Sequence, residues 1–139
     1  MARSDLIVDL GAIRRNARTL LRALEGAELW AVVKADGYGH GAVDVGGAAL
    51  GAGATALCVA TVPEALSLRR ALGTVRILVM GPASNREVAD ARDAGLELVI
   101  AAGDVPEGVR VHLKLDTGMG RWGLSELPAP GREVVGLMS

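Results

Sequence analysis

Among fifteen basic side chains, lysine occurs only at Lys34 and Lys114, and arginine fills the other positions. Lysine can deprotonate and form Schiff bases, whereas arginine keeps its charge. The two lysines are therefore the first places to look for amine chemistry. Lys34 closes the apolar run Leu29 to Lys34, which has the pattern of a strand buried on both faces. At the C-terminal end of such a strand, low-dielectric walls lower a lysine pKa and make the amine nucleophilic. Four residues on, Tyr38 sits among Gly37, Gly39 and Gly41. Glycines let backbone approach a ligand closely, and a phenol hydroxyl donates to phosphate. The plain alternative is a lysine that snorkels to solvent, followed by a flexible turn.

Lys114 lies near the end of a second run, Val111 to Leu115, followed by the loop Asp116 to Gly123, which carries Arg121. A fixed guanidinium suits a carboxylate, phosphate or phenolate. The plain alternative here is a surface Lys114–Asp116 pair and a solvent-facing Arg121.

The elements that must position these groups follow a strand-then-helix rhythm. Strands are predicted at Leu6–Asp9, Leu29–Lys34, Leu57–Ala60, Arg76–Met80, Leu96–Ile100, Val111–Leu115 and Val134–Met138. Asp9 caps a helix whose apolar face is Ile13, Ala17, Leu20, Leu21 and Leu24, with Gly26 as its stop. A small-residue helix runs from Ala42 to Leu50. Thr61–Glu64 and Ser84–Glu87 read as capping boxes for two more helices, stopped by Gly73 and Gly95. Strands separated by helices imply a parallel sheet with the post-strand loops at one rim. The last strand runs to Ser139 with no covering helix, so the reading expects a bare edge and a chain that is truncated or completed by another.

Composition excludes several classes. The chain has 139 residues, half of them hydrophobic, which argues against disorder. It is too short for a whole eight-stranded barrel, which needs about 250 residues. Aromatics are Trp30, Tyr38 and Trp122 alone, so the core is aliphatic. The net charge of −1 gives nucleic-acid binding no electrostatic support. Cys58, the single cysteine, precludes an internal disulfide and reads as a buried core thiol. His40, His112 and Cys58 lack metal-ligand spacing, so no metal is expected. The expected compartment is the cytoplasm, without a signal peptide or membrane span. Gly51–Ala56 mimics a dinucleotide fingerprint but precedes a strand, which is the wrong context.

Taken together, Ala31–Gly41 and Val111–Gly123 resemble two motifs of the alanine racemases. The first is similar to their pyridoxal-phosphate attachment segment. The second is similar to their Lys-Asp-Thr-Gly-Met-Gly-Arg segment, here Lys114 to Arg121. Ile7–Leu10, with Ile13 and Asn16, resembles the start of the family, and Gly136–Ser139 resembles a segment that continues there into a histidine. The resemblance covers this chain but only the N-terminal part of the family's length. It implies an α/β fold: a partial (β/α)8 TIM barrel of about six parallel strands, truncated before closure. Residues 1–10 would then be an N-terminal strand packing with the family's C-terminal β-domain, and 11–139 an incomplete barrel that binds pyridoxal 5′-phosphate.

The resemblance also implies roles. Lys34 matches the lysine that holds the cofactor and acts as one of two bases. Tyr38 matches a phosphate-contacting tyrosine. Arg121 matches an arginine on the cofactor's phenolic oxygen and the substrate carboxylate. Lys114 matches a lysine often carbamylated, which positions that arginine. Asp36 and His40 receive no catalytic role. The implied activity is the interconversion of L- and D-alanine for peptidoglycan, in a homodimer whose partner subunit supplies the second base, a tyrosine. Tyr38 is the only tyrosine here, so the chain is expected to be inactive alone. The chain also reads as shortened between Ile100 and Val111 and between Leu124 and Val134, where the family carries longer helices. The alternatives are a non-catalytic pyridoxal-phosphate barrel of cofactor homeostasis and an inert remnant. The Lys114–Arg121 motif and the start at Ile7–Leu10 favour the racemase.

Overall fold

The computed structural model describes residues 4–139. Six strands form one sheet in the order β1 to β6, every neighbouring pair parallel: β1 (Trp30–Val32), β2 (Ala56–Val59), β3 (Arg76–Val79), β4 (Glu97–Ile100), β5 (Arg110–Lys114) and β6 (Val134–Met138). The sheet is an open half-barrel, as the sequence reading expects, with β1 and β6 at its edges.

Helices cover its outer face. α1 (Leu10–Ala23) starts at Asp9, whose carboxylate accepts from the Ala12 amide at 3.0 Å. α2 (Lys34–Gly39) is a short left-handed turn. α3 (Ala42–Ala52) follows it, and α4 (Val62–Leu72) and α5 (Asn85–Asp93) each begin with the expected capping box. Such caps contribute about 1 kcal/mol each.

Alternation along the strands separates two cores. Leu57, Val59, Ile77, Val79, Leu98, Val111 and Leu113 point outward into the helix layer and are nearly inaccessible. Cys58, Leu78 and Val99 point inward, flanked by Trp30, Met80 and Met138. Cys58 is buried as expected, and burial, with Glu97 nearby, pushes its thiol up to about 11, so it is inert.

Two readings change. Residues 6–9 form no strand among the described residues, because no neighbouring strand offers them a ladder. The stretch after Lys34 is a turn of left-handed helix, against the flexible-turn alternative. The links from β4 to β5 and from β5 to β6 carry no helix, in keeping with the shortened segments read between Ile100 and Val111 and between Leu124 and Val134, and every pairing stays parallel.

Inward-facing charges at the start of the strands form a network that the sequence reading missed. Glu97, 2% exposed, takes Arg76 Nε on Oε1 and His112 Nε2 on Oε2, both at 2.7 Å, and Arg110 reaches Oε1 at 3.2 Å. Trp30 meets the His112 ring edge-on, and the Arg76 guanidinium lies 4.4 Å from the Trp30 ring centre. Gly136 on β6 faces His112 so closely that a Cβ there would overlap the imidazole.

Two outcomes follow from this network. Burial raises the Glu97 pKa, but hydrogen bonds from His112 and Arg76 outweigh it and bring the carboxyl down to about 2. A carboxyl depressed on folding stabilises the fold above its unfolded pKa, and that contribution is lost as pH falls toward the folded value. Thermal midpoints measured across pH should therefore drop between about pH 4.5 and 2. Glu97→Gln, destabilised at neutral pH, should flatten that segment. Gly136→Ala should displace His112 and cost roughly 1–3 kcal/mol in denaturant unfolding.

Candidate functional site

β1 ends at Val32, and Val33 still donates to the Cys58 carbonyl on β2 at 2.8 Å. The chain then reverses hand. Ala35, Asp36, Gly37 and Tyr38 have φ of 50°, 52°, 63° and 56°, forming a left-handed turn closed by Gly37 N–H to Val33 O at 2.9 Å. Left-handed backbone costs roughly 1–2 kcal/mol for each non-glycine residue. Only one position demands glycine for space: a Cβ on Gly37 would press on the Ala42 backbone at 3.2 Å.

Three bonds hold the strain. Asp36 Oδ1 accepts from the Ala42 amide at 2.9 Å, which joins the turn to the start of α3. Gly41 N–H reaches the Asp36 carbonyl at 2.9 Å. Glu64 Oε1 accepts from the Ala35 amide at 2.7 Å. Strain retained by surrounding contacts is a mark of functional segments. Asp36 and His40 thus have structural places: Asp36 caps α3, and His40 Nδ1 lies 3.1 Å from the Gly37 carbonyl.

The turn sets Lys34 half-buried at the rim, its Nζ 5.9 Å from the centre of the Tyr38 ring. Tyr38 is 58% exposed. Among the described residues, neither the Lys34 amine nor the Tyr38 hydroxyl has a hydrogen-bond partner.

Lys114 is buried at the end of β5, contrary to a surface Lys–Asp pair. Its Nζ donates to the carbonyls of Trp122 at 2.6 Å and Arg121 at 3.2 Å. Asp116 Oδ1 accepts from the amides of Gly118 and Gly120 at 2.9 and 3.0 Å, and those bonds hold its carboxyl below the usual range. The loop is thus fixed at both ends, while the Arg121 side chain is exposed and unpaired among the described residues. Lys34 and Arg121 share the rim but not a contact: β1 and β5 are separated by three strands. A cavity of about 410 Å³ lies beside the Arg121 loop, lined by Met80, Pro82, Ile100, Ala101, Asp116 and Trp122. Among the described residues no cluster of His, Cys, Asp or Glu could hold a metal ion, and no helix is long and apolar enough to cross a membrane.

A half-barrel with a rim lysine on β1 and an arginine-bearing loop after β5 belongs to the lysine-bearing β/α barrels. The comparisons are more specific. The family model for the N-terminal domain of alanine racemase matches residues 8–137. The alanine racemase of Symbiobacterium thermophilum is 43% identical over 94% of this chain and 38% of its own length. That of Beutenbergia cavernae is 49% identical over 85% and 34%. Among solved structures, alanine racemase from E. faecalis superposes with a TM-score of 0.79 at 38% identity, over 86% of this chain and 36% of that one. A histidine racemase from Leuconostoc mesenteroides aligns with a TM-score of 0.72 at 26% identity, over 82% and 34%. The chain belongs to the alanine racemase family, as its N-terminal domain, and spans about a third of the length of these relatives.

The bonds of Lys114 can be tested directly. Lys114→Met removes both hydrogen bonds from Nζ to the loop, so trypsin should cut after Arg121 about tenfold faster or more, followed by mass spectrometry. Equal cleavage rates would show that the loop does not depend on Lys114.

Proposed function

We propose that this chain is the cofactor-binding barrel portion of a pyridoxal-phosphate-dependent racemase acting on alanine. The observation that carries the reading is Lys34, an amine without a partner among the described residues, presented at a strand's C-terminal rim by a strained turn that also presents Tyr38. The donor set fits the cofactor: an amine for its aldehyde carbon, a phenol for its phosphate and a guanidinium, Arg121, for its phenolic oxygen.

Pyridoxal phosphate, when bound, draws electron density from the substrate Cα and acidifies its proton. Lys34 would hold the group by its amine and move the Cα proton on one face. Arg121 would pair with the substrate carboxylate. Lys114 supports that role through the loop backbone. Its carbamylation would require the nitrogen to give up at least one of its two carbonyl partners, since the modified nitrogen keeps a single N–H.

Racemisation needs a second proton carrier on the opposite face. Tyr38, the only tyrosine, stands on the side of Lys34, and the resemblance to the family implies that the second carrier is a tyrosine of the partner subunit in a homodimer. By the same resemblance residues 1–10, of which 1–3 lie outside the described residues, would pack with a β-domain that completes the site. Alanine is taken from the names of the relatives, and the structural likeness to a histidine racemase means that this portion does not by itself fix the side chain accepted. The product, D-alanine, suits peptidoglycan synthesis in the cytoplasm.

Pyridoxal phosphate added to the chain should give a visible-absorbing adduct that borohydride fixes onto Lys34, absent in Lys34→Ala. Labelling elsewhere only, or none, overturns the assignment. The chain alone should form no D-alanine from L-alanine; turnover that Lys34→Ala abolishes would overturn that expectation.

A further inference from the structure

The capping boxes of α4 and α5 have the same chemistry but different reach. In α5, Glu87 Oε2 takes the Ser84 amide at 2.8 Å and its hydroxyl at 2.7 Å, and Oε1 has no partner among the described residues. In α4, Glu64 Oε2 takes the amides of Thr61 and Ala60, both at 2.9 Å, and Oε1 crosses to the Ala35 amide, 29 residues away in sequence. One carboxylate therefore joins the end of β1, the end of β2 and the start of α4.

The amide that Glu64 holds is the N–H of the peptide linking Lys34 to Ala35, so its plane fixes the direction in which the Lys34 side chain leaves the rim. Ala35 is also the first left-handed residue of the turn. A cavity of about 230 Å³ behind the turn, lined by Val33, Asp36, Ala42, Val59, Glu64 and Leu68, leaves room for it to relax if that bond is lost.

We propose that Glu64 is a positioning residue for Lys34, its carboxylate clamping the Lys34–Ala35 peptide so that the amine is presented at the rim. The proposal rests on Lys34 being the reactive amine and concerns how that amine is held.

Amide exchange and borohydride trapping test it on the full chain, comparing wild type with Glu64→Gln, Glu64→Asp and Glu87→Gln. Glutamine must turn its amide group toward N–H donors on one side. Aspartate is one methylene shorter and cannot span from Thr61 to Ala35. Either Glu64 variant should speed exchange at Ala35 and Gly37 about tenfold or more and slow trapping of Lys34 by a similar factor. Glu87→Gln makes the same change in the cap of α5, which does not reach the turn, and should leave both readouts unchanged. Unaltered exchange at Ala35 in the Glu64 variants, or the same change in Glu87→Gln, overturns the proposal. Absence of trapping in the wild type would overturn the cofactor reading, while the exchange rates would still decide the role of Glu64.

Discussion

The buried carboxylate of Glu97 is the constraint on which this sheet depends. It sits on the inner face at the start of β4 and binds arginines from β3 and β5 and the imidazole of β5. His112, held by that carboxylate, in turn meets Trp30 of β1 and faces Gly136 of β6. Removing one partner from such a cluster strands a charge away from water, which is far more destabilising than losing a surface pair. The cluster lies where the outer layer is thinnest: β4, β5 and β6 follow one another without helices, so polar bonds inside do part of the work that helix packing does for β1 to β3.

The opposite ends of the strands carry the two lysines. There, each lysine is governed by backbone. Lys34 is presented by a turn of reversed hand, and Lys114 has its amine engaged with the carbonyls of the loop carrying Arg121. The two lysine side chains thus differ: among the described residues one amine has no partner, and the other is bonded within its loop. Arginine's rigid fork would match neither the Schiff-base role proposed for Lys34 nor a compact donor to two converging carbonyls.

Much of this was legible in the sequence. Runs such as Leu57–Val59 and Ile77–Val79, punctuated by Thr61–Glu64 and Ser84–Glu87, give strands and helix starts because apolar period and cap chemistry are local. The hand of the turn after Lys34 was not legible: glycine permits positive φ, but Ala35, Asp36 and Tyr38 adopt it too, in a turn that Glu64 holds at Ala35 and Ala42 holds at Asp36. Nor was the Glu97 network. Arg76, Glu97 and Arg110 open their strands and read as ordinary strand-end charges until the parallel register pairs Glu97 with Arg110 and with Leu78, leaving Arg76 to reach up from an earlier position on β3. Residues 6–9 alternate like a strand, yet alternation cannot supply a pairing partner.

The link from β4 to β5 has a mechanical side. Residues 101–109 must return from the rim to the floor of the sheet, and nine residues reach at most about 30 Å. The five residues of β5 alone span about 16 Å of that descent. The strap therefore has roughly twice the reach that the descent requires. The axial register of β4 on β5 is set by the ladder between them and not by the link, and modest changes in the length of this segment leave that register in place.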